Sequence, residues 1–389
     1  MNEAVIVSAV RTPVATAMKG TLRSTTAEVL ATHILTEAVR RSGFDPDCVD
    51  DVILAESMYG GGDLARYAAV AAGMVSVPGL AINRHCTGAL SAVGIAAASI
   101  RAGIDSVVVA GGVQSTSTMP RSVWRIPGTE EPETRIAPTF PYTDDAQDDT
   151  TISVGWNIAQ KYGLSREQMD AWGVRSHHRA IAAIDAGIFD DEIAPIEATL
   201  PDGSVVRFAV DEHPRRTTSV EKAAAVKPVH PEIEGFSITA ANASGSNDAA
   251  AALTLTSADN AAANGIDVLG TVRGWTSVGV DPRFTGDGAL AAIRKILSRH
   301  DLAVGDIALW EINEAFASVP VAACQEFGID EELVNIHGSG CSLGHPIAAS
   351  GARMLTTLTH ELRRRGGGTG VAAMCAGGGQ GGAVVVEVK

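Results

Sequence analysis

Basic residues are in short supply. Thirty Lys and Arg stand against 45 Asp and Glu, giving a net charge of −15. That balance argues against a nucleic-acid or anionic-membrane surface, so an anionic ligand would need a local basic patch. Cysteine is sparse as well: Cys48, Cys86, Cys324, Cys341 and Cys375 form no C-x-x-C pair. An odd, widely spaced set excludes a disulfide framework and a zinc site and fits reduced thiols. Aromatics make up only 4% of the chain, and no apolar run reaches membrane-spanning length. A strand begins at Ala4, which leaves no room for a leader, and the C-terminal V-E-V-K is not a peroxisomal address. These absences together predict a soluble cytoplasmic enzyme with no nucleic-acid or membrane partner.

What the chain does have is small apolar residues. At 389 residues, 46% hydrophobic and with 41 glycines, it is too long for one ordinary core and suited to a tightly packed α/β interior. Strands are expected at 4–9, 49–57 and 105–112, and helices at 26–42 (stopping at Gly43) and 65–72 (ending at Gly73). This alternation predicts a parallel sheet covered on both faces. Residues 118–150, rich in Pro, Thr and acidic side chains, depart from it. The stretch 153–188 turns helical again, with Ser165 as N-cap and Gln168 at the capping-box position. Short strands and loops fill 200–240, and A-A-N-A-S-G-S-N-D-A-A-A-A-L (240–253) reads as a polar turn opening an Ala-rich helix. Beyond Asp267 the pattern repeats: 268–275 echoes the first strand, 305–316 the second, 335–353 the stretch around Cys86, and 370–379 the third strand. Two halves offset by roughly 260 residues imply a duplication.

Four side chains stand where chemistry can be done. Cys86, in A-I-N-R-H-C-T-G-A-L-S-A, precedes a small-residue helix; unpaired N–H groups and the helix dipole there favour a thiolate. A lone buried Cys is otherwise a small hydrophobe. His345, in G-H-P, is expected just before a helix with Pro346 at its first position, and in the duplicated frame it falls near the counterpart of Cys86. Cys375 ends an apolar strand before a glycine turn that is a plain turn, a phosphate cradle or a set of donors for a thioester oxygen. Asn313, in N-E-A-F, ends another strand and is suited to holding a water against a developing oxyanion.

Taken together, N-R-H-C, N-E-A-F-A, G-H-P-I-A-A-S-G-A-R, C-A-G-G-G-Q-G, N-A-S-G-S-N-D-A-A-A-A and V-S-A-V-R-T-P resemble the thiolase family in order and spacing over nearly the whole chain. The resemblance implies duplicated α/β halves in an α/β/α/β/α layering: an N-terminal unit over 1–264, interrupted by a loop domain at about 119–243, and a C-terminal unit over 265–389. It implies reversible Claisen condensation and CoA-dependent thiolysis of 3-oxoacyl-CoA, as in an acetyl-CoA acyltransferase. His345 would activate Cys86, which takes the acyl group, and Cys375 would move the α-proton of a second acyl-CoA. One oxyanion hole would use His345 and a water on Asn313, the other the N–H groups of Cys86 and Gly377. Ser244 would meet the pantetheine arm. Coenzyme A thioesters would be substrates, with no permanently bound cofactor and no metal. A homodimer or homotetramer is implied.

Arg215, Arg216, Lys222 and Lys227 form a basic cluster where relatives cover CoA, expected either to meet its phosphates or to be a solvated face. Three features depart from the family pattern: Gly88-Ala89 stands for Ser-Gly, Thr151-Ile152 and Trp156-Asn157 stand for Met-Gly and Glu-Asn, and the 119–150 stretch is unlike the short-chain enzymes. Two rival readings remain. A 3-oxoacyl-carrier-protein synthase would lack Cys375, and a thiolase-fold acyl-CoA-binding protein without turnover would have no reactive Cys86.

Overall fold

The computed structural model describes residues 2–59, 61–143 and 149–389. The chain begins with β1 (Ala4–Arg11), β2 (Ala15–Thr16), β3 (Asp51–Glu56), β4 (Gly79–Ile82) and β5 (Val107–Ser115). It then leaves the main sheet for two small hairpins, β6 (Val123–Arg125) with β7 (Pro132–Thr134) and β8 (Ile196–Thr199) with β9 (Val205–Phe208). It returns with β10 (Asn247–Ser257), and the second half adds β11 (Gly270–Gly279), β12 (Leu309–Ile312), β13 (Gly368–Ala376) and β14 (Gln380–Val388).

The main sheet runs β12-β13-β14-β11-β1-β10-β5-β3-β4, with β2 on β10. Read outward from its centre, β1-β10-β5-β3 matches β11-β14-β13-β12. In each half two antiparallel pairings are followed by one parallel pairing. Within the sheet the halves are joined by β1 and β11, which pair at Val5 with Thr271 and at Ile6 with Gly270.

Two expectations are corrected here. The sheet is mixed, not parallel, because β10 lies antiparallel between β1 and β5. And 247–257 is that strand, not an Ala-rich helix. Alanine is the best helix former, but these alanines are buried on both faces of the sheet centre, where small side chains let the covering layers approach, and burial outweighs propensity.

Helices α1 (Ala27–Ser42), α2 (Leu64–Ala71), α3 (Gly88–Ala102), α4 (Asn157–Lys161), α5 (Arg166–Asp185), α6 (Val220–Ala224), α7 (Ala258–Ala263), α8 (Asp287–His300), α9 (Ser318–Phe327) and α10 (Ser350–Arg364) complete the fold. α1 begins at the Thr26 cap and ends at Gly43 in the left-handed region, and α5 carries the Ser165/Gln168 capping box. Alternation along the strands builds separate cores. Val5 and Val7 of β1 and Val107 and Val109 of β5 face α1 and α2, while Ala4, Ile6, Val108 and Ala110 face α3 and α10. The α3/α10 core also takes Val272, Ala372, Met374 and Val384 from the second half. The other face of that half packs on α8 and α9. Helices α3 and α10 are thus the shared middle of an α/β/α/β/α stack, and the segments carrying Cys86 and His345 lead into them.

Candidate active site

The stretch before α3 explains how a thiol comes to sit at the end of a buried helix. After β4, Asn83 Oδ1 accepts the His85 N–H (2.9 Å), and His85 adopts the left-handed region at φ 44°. A 3₁₀ turn over His85–Thr87 then runs directly into α3. The His85 ring bridges two other segments, with Nδ1 3.1 Å from Ser57 Oγ and Nε2 2.9 Å from Thr139 Oγ1. Gly88 has its reason here: a Cβ would stand 2.7 Å from that of Ala55, so the first turn of α3 lies against β3 only without a side chain.

The second half makes the corresponding corner with a longer loop. Gly344, at φ 108°, would bring a Cβ within 2.4 Å of the Asn247 amide. That amide Oδ1 accepts the His345 N–H at 2.9 Å. Ser350 Oγ donates to Pro346 O (2.9 Å) and therefore accepts from His345 Nδ1–H at 2.6 Å. This partner assigns the tautomer and leaves Nε2 with its lone pair. α10 starts at Ser350, so Pro346 is four residues ahead of the helix and not its first position; its carbonyl instead receives the N–H groups of Ala349 and Ser350.

Asn313 lies fully buried behind His345, its Nδ2 3.5 Å from Nε2. Its Oδ1 has no hydrogen-bond partner among the described residues, an open acceptor suited to a water. The neighbouring Glu314 fixes this loop. Its carboxylate accepts from Trp172 Nε1 (2.8 Å), Ser176 Oγ (2.6 Å), Asn335 Nδ2 (2.8 Å) and the Cys341 N–H (3.0 Å).

Burial sets the protonation states. It pushes the Cys86 thiol up to about 11, against the downward pull of the Gly377 N–H and of its own backbone N–H. Cys86 keeps some surface open to the cavity, but its surroundings are protein, and desolvation outweighs the helix-terminal donors. The thiolate expected from the helix end is therefore absent at rest. Burial first, and the Arg353 charge second, lower His345 to about 3. Burial and the nearby Cys86 raise Cys375 further still. The resting pair is a neutral thiol and a neutral imidazole.

A cavity of about 480 Å³ gathers Cys86, His345, Cys375, Gly377 and Ser244 from both halves. Gln114, Thr116, Met58 and Met119 line it too, as do Thr151 and Val154. The divergent Trp156 packs on Phe236 at 5.1 Å, and Asn157 Nδ2 donates to Arg283 O (2.7 Å). The basic cluster is elsewhere: Arg215, Arg216, Lys222 and Lys227 do not line this cavity. Arg216 forks onto Asp185 (2.9 and 2.6 Å), and Lys222 Nζ donates to Thr217 O. Sequence reasoning missed Ser350 and Asn247, the groups that orient His345. Nothing in one-dimensional spacing marks which hydroxyl meets the ring or which amide accepts the His345 backbone N–H. Among the described residues no group of three or more His, Cys, Asp or Glu is placed to hold a metal, and no helix is long and apolar enough to cross a membrane.

Comparison with known proteins accounts for this arrangement. The thiolase N-terminal domain matches residues 4–259 and the thiolase C-terminal domain residues 266–388. An acetyl-CoA acetyltransferase of Pseudomonas aeruginosa is 39% identical over 381 residues, 95% of each chain. A beta-ketoadipyl-CoA thiolase of the same species is also 39% identical, over 386 residues and 95% of each chain. The crystal structure of the Bacillus anthracis acetyl-CoA acetyltransferase superposes with a TM-score of 0.91 at 39% identity, covering 100% of this chain and 99% of that one. With both domains matched in order and the two-half sheet reproduced, the chain belongs to the thiolase family.

Proposed function

We propose that this protein is an acyl-CoA C-acyltransferase that makes and cleaves 3-oxoacyl-CoA through an acyl-Cys86 intermediate. The observation that carries this reading is the convergence of Cys86, His345 and Cys375 on one cavity. His345 Nε2, its lone pair directed by the Nδ1–Ser350 bond, takes the Cys86 proton as sulfur attacks the thioester carbon. The departing CoA thiolate takes its proton from Cys375, which leaves a Cys375 thiolate and a protonated His345 Nε2. Neutral partners suit this sequence: charge appears only as the bond forms, so the imidazole acts as general base and not as one half of a resting ion pair. In condensation the Cys375 thiolate removes the α-proton of a second acyl-CoA, and the resulting carbanion attacks the acyl carbon and releases the Cys86 thiolate, which takes back the proton on His345. Thiolysis runs the same steps backwards. The N–H groups of Cys86 and Gly377 are assigned to the acyl-enzyme oxyanion, and His345 with a water on Asn313 Oδ1 to the enolate oxygen.

The reading extends to an N-terminal unit over 1–264 with a loop domain at 119–243, a C-terminal unit over 265–389, a homodimer or homotetramer, a cytoplasmic location and a role in fatty-acid metabolism. Ser244 is assigned to the pantetheine arm, and Arg215 and Arg216 to the CoA phosphates. For the last, the double change Arg215→Ala, Arg216→Ala is expected to raise the KM for CoA several-fold with kcat retained; an unchanged KM removes the assignment. The reaction itself is tested by CoA-dependent thiolysis of acetoacetyl-CoA beside a longer 3-oxoacyl-CoA, with Cys86→Ala and Cys375→Ala as controls. Turnover lost in both variants is expected. Turnover retained by Cys86→Ala refutes the acyl-enzyme.

A further inference from the structure

Two stretches far apart in sequence share the wall of the catalytic cavity, one through Thr151 and Val154, the other through Val229 and Ile238. The first contains Thr151-Ile152 and Trp156-Asn157, where the chain departs from the family pattern, and forms a π-helical turn over Thr151–Trp156. The second doubles back as a strap. Its Val229 N–H donates to Ile238 O (3.0 Å), and Pro228 lies opposite Thr239 in an antiparallel bridge. The strap rests on the turn through apolar contacts. Phe236 packs 5.1 Å from Trp156, and a Cβ on Gly155 would stand 2.8 Å from Ile238 Cγ1.

One polar side chain, His230, ties the strap to the turn. Its Nε2 lies 2.9 Å from Thr151 Oγ1 and 3.1 Å from Asp149 Oδ2, and its Nδ1 lies 2.8 Å from Glu232 Oε1. The Thr151 hydroxyl proton is already committed to Asp149 Oδ1 at 2.7 Å, which also accepts the Thr151 N–H at 2.8 Å. Nε2 therefore faces only acceptors. So does Nδ1, because a carboxylate has no proton to give. A neutral imidazole carries a single N–H and cannot serve both sides, whereas an imidazolium serves both. Among the described residues the charged groups acting on the ring are Asp149 and Glu232, and the edge of the ring meets Phe236 at 5.0 Å.

Building on the acyltransferase reading, we infer that His230 is a positioning residue for thioester binding, an imidazolium that clamps the 228–239 strap to the 149–156 turn and so fixes their shared wall of the cavity. It does not line the cavity itself and touches no reacting atom. Loss of its proton undoes the clamp whichever nitrogen keeps the other. A ring protonated only on Nδ1 drops Thr151 and Asp149, and one protonated only on Nε2 turns a lone pair on the Glu232 carboxylate. Two carboxylates are then left without their cation beside a cavity that takes an anionic thioester. Both consequences weaken binding as pH rises, and neither alters the steps at Cys86.

Two measurements test it. The first is the affinity for acetoacetyl-CoA by calorimetry at about pH 6 and about pH 9, with Cys86→Ala as the background so that no acyl transfer intervenes. Affinity is expected to fall about tenfold more in this background than after the further change His230→Gln; titration of the ligand's own phosphate is common to both and cancels. His230→Arg, which keeps a cation at both pH values, should hold its affinity at the higher one. An equal fall with His and Gln overturns the inference, as does failure to bind at either pH. The second is turnover with Cys86 intact. His230→Gln should raise the KM for acetoacetyl-CoA about fivefold to tenfold with kcat retained, and a loss confined to kcat overturns the inference. Absence of turnover in the wild type, with binding and its pH dependence intact, would refute the acyltransferase reading and uphold the clamp.

Discussion

The two corners that meet at the cavity solve one problem in different ways. In the first half, β4 reaches α3 through a tight turn, and the reactive atom is a short thiol on the last residues before the helix. Its helpers are backbone groups, Gly377 N–H above all. In the second half, residues 335–349 wander before α10, and the reactive atom is a ring nitrogen of His345, whose ring is held by Ser350 and whose backbone N–H is held by Asn247. Duplication supplied the same strand-to-helix junction twice. The short version leaves room for a nucleophile that changes partners during turnover, and the long version holds a base in a single orientation. On the proposed mechanism the first half takes up the acyl group, and the second moves the protons.

Separating those duties gives the largest effect. Cys375→Ala is expected to lower thiolysis by about three orders of magnitude while still taking up one acyl group from acyl-CoA, read by single-turnover CoA release. Loss of both would erase the division between the halves.

Next comes the orientation of the base. Ser350→Ala frees His345 Nδ1, and kcat is expected to fall about 10- to 100-fold with the KM for CoA little changed. Ser350→Thr, which keeps the hydroxyl, should recover most of the loss. Equal damage from Thr and Ala would mean that the serine acts through packing alone.

A third effect concerns the nucleophile at rest. Because burial raises the Cys86 thiol to about 11, its alkylation by iodoacetamide in the free enzyme should still be climbing at about pH 9 and beyond, where an ordinary thiol has begun to level off. A plateau already reached at pH 7 would show that His345 holds a thiolate before substrate arrives.

The smallest effect is on stability. His345 and His177 are lowered to about 3 and His213 to about 4, each chiefly by burial. Below about pH 6.5 the unfolded chain takes up protons that these folded sites refuse, so ν_U exceeds ν_N and stability falls as pH drops toward 3–4. His230, raised by its bond to Glu232, works in the opposite sense but is part of the exposed surface. The melting temperature should therefore decline from pH 7 to pH 5, and less steeply in His177→Gln. A flat profile would contradict the burial account.

Much of this was legible in the chain itself, and what was not has identifiable causes. The Gly43 stop, the Ser165 cap and the strand-ending position of Cys375 are local chemistry, and local chemistry reads directly from sequence. The repeat could be followed because corresponding strands keep their apolar pattern. β10 was misread because its alanines signal a helix unless the sheet on either side is known, and with it went the parallel sheet. The thiolate expected at Cys86 failed for a similar reason: a helix end is visible in sequence, but the desolvation that outweighs it is a property of three dimensions. Ser350 escaped because its partner is a ring whose orientation no spacing rule gives, and Asn247 because it reaches the His345 backbone N–H from 98 residues away.

The most direct test is the identity of the acylated residue. Protein exposed to acetyl-CoA without free CoA, quenched in acid and mapped by mass spectrometry, should carry one acetyl group on Cys86 in the wild type and in Cys375→Ala, and none in Cys86→Ala. An acetyl group on Cys375, or one that survives the loss of Cys86, would contradict the account at its centre.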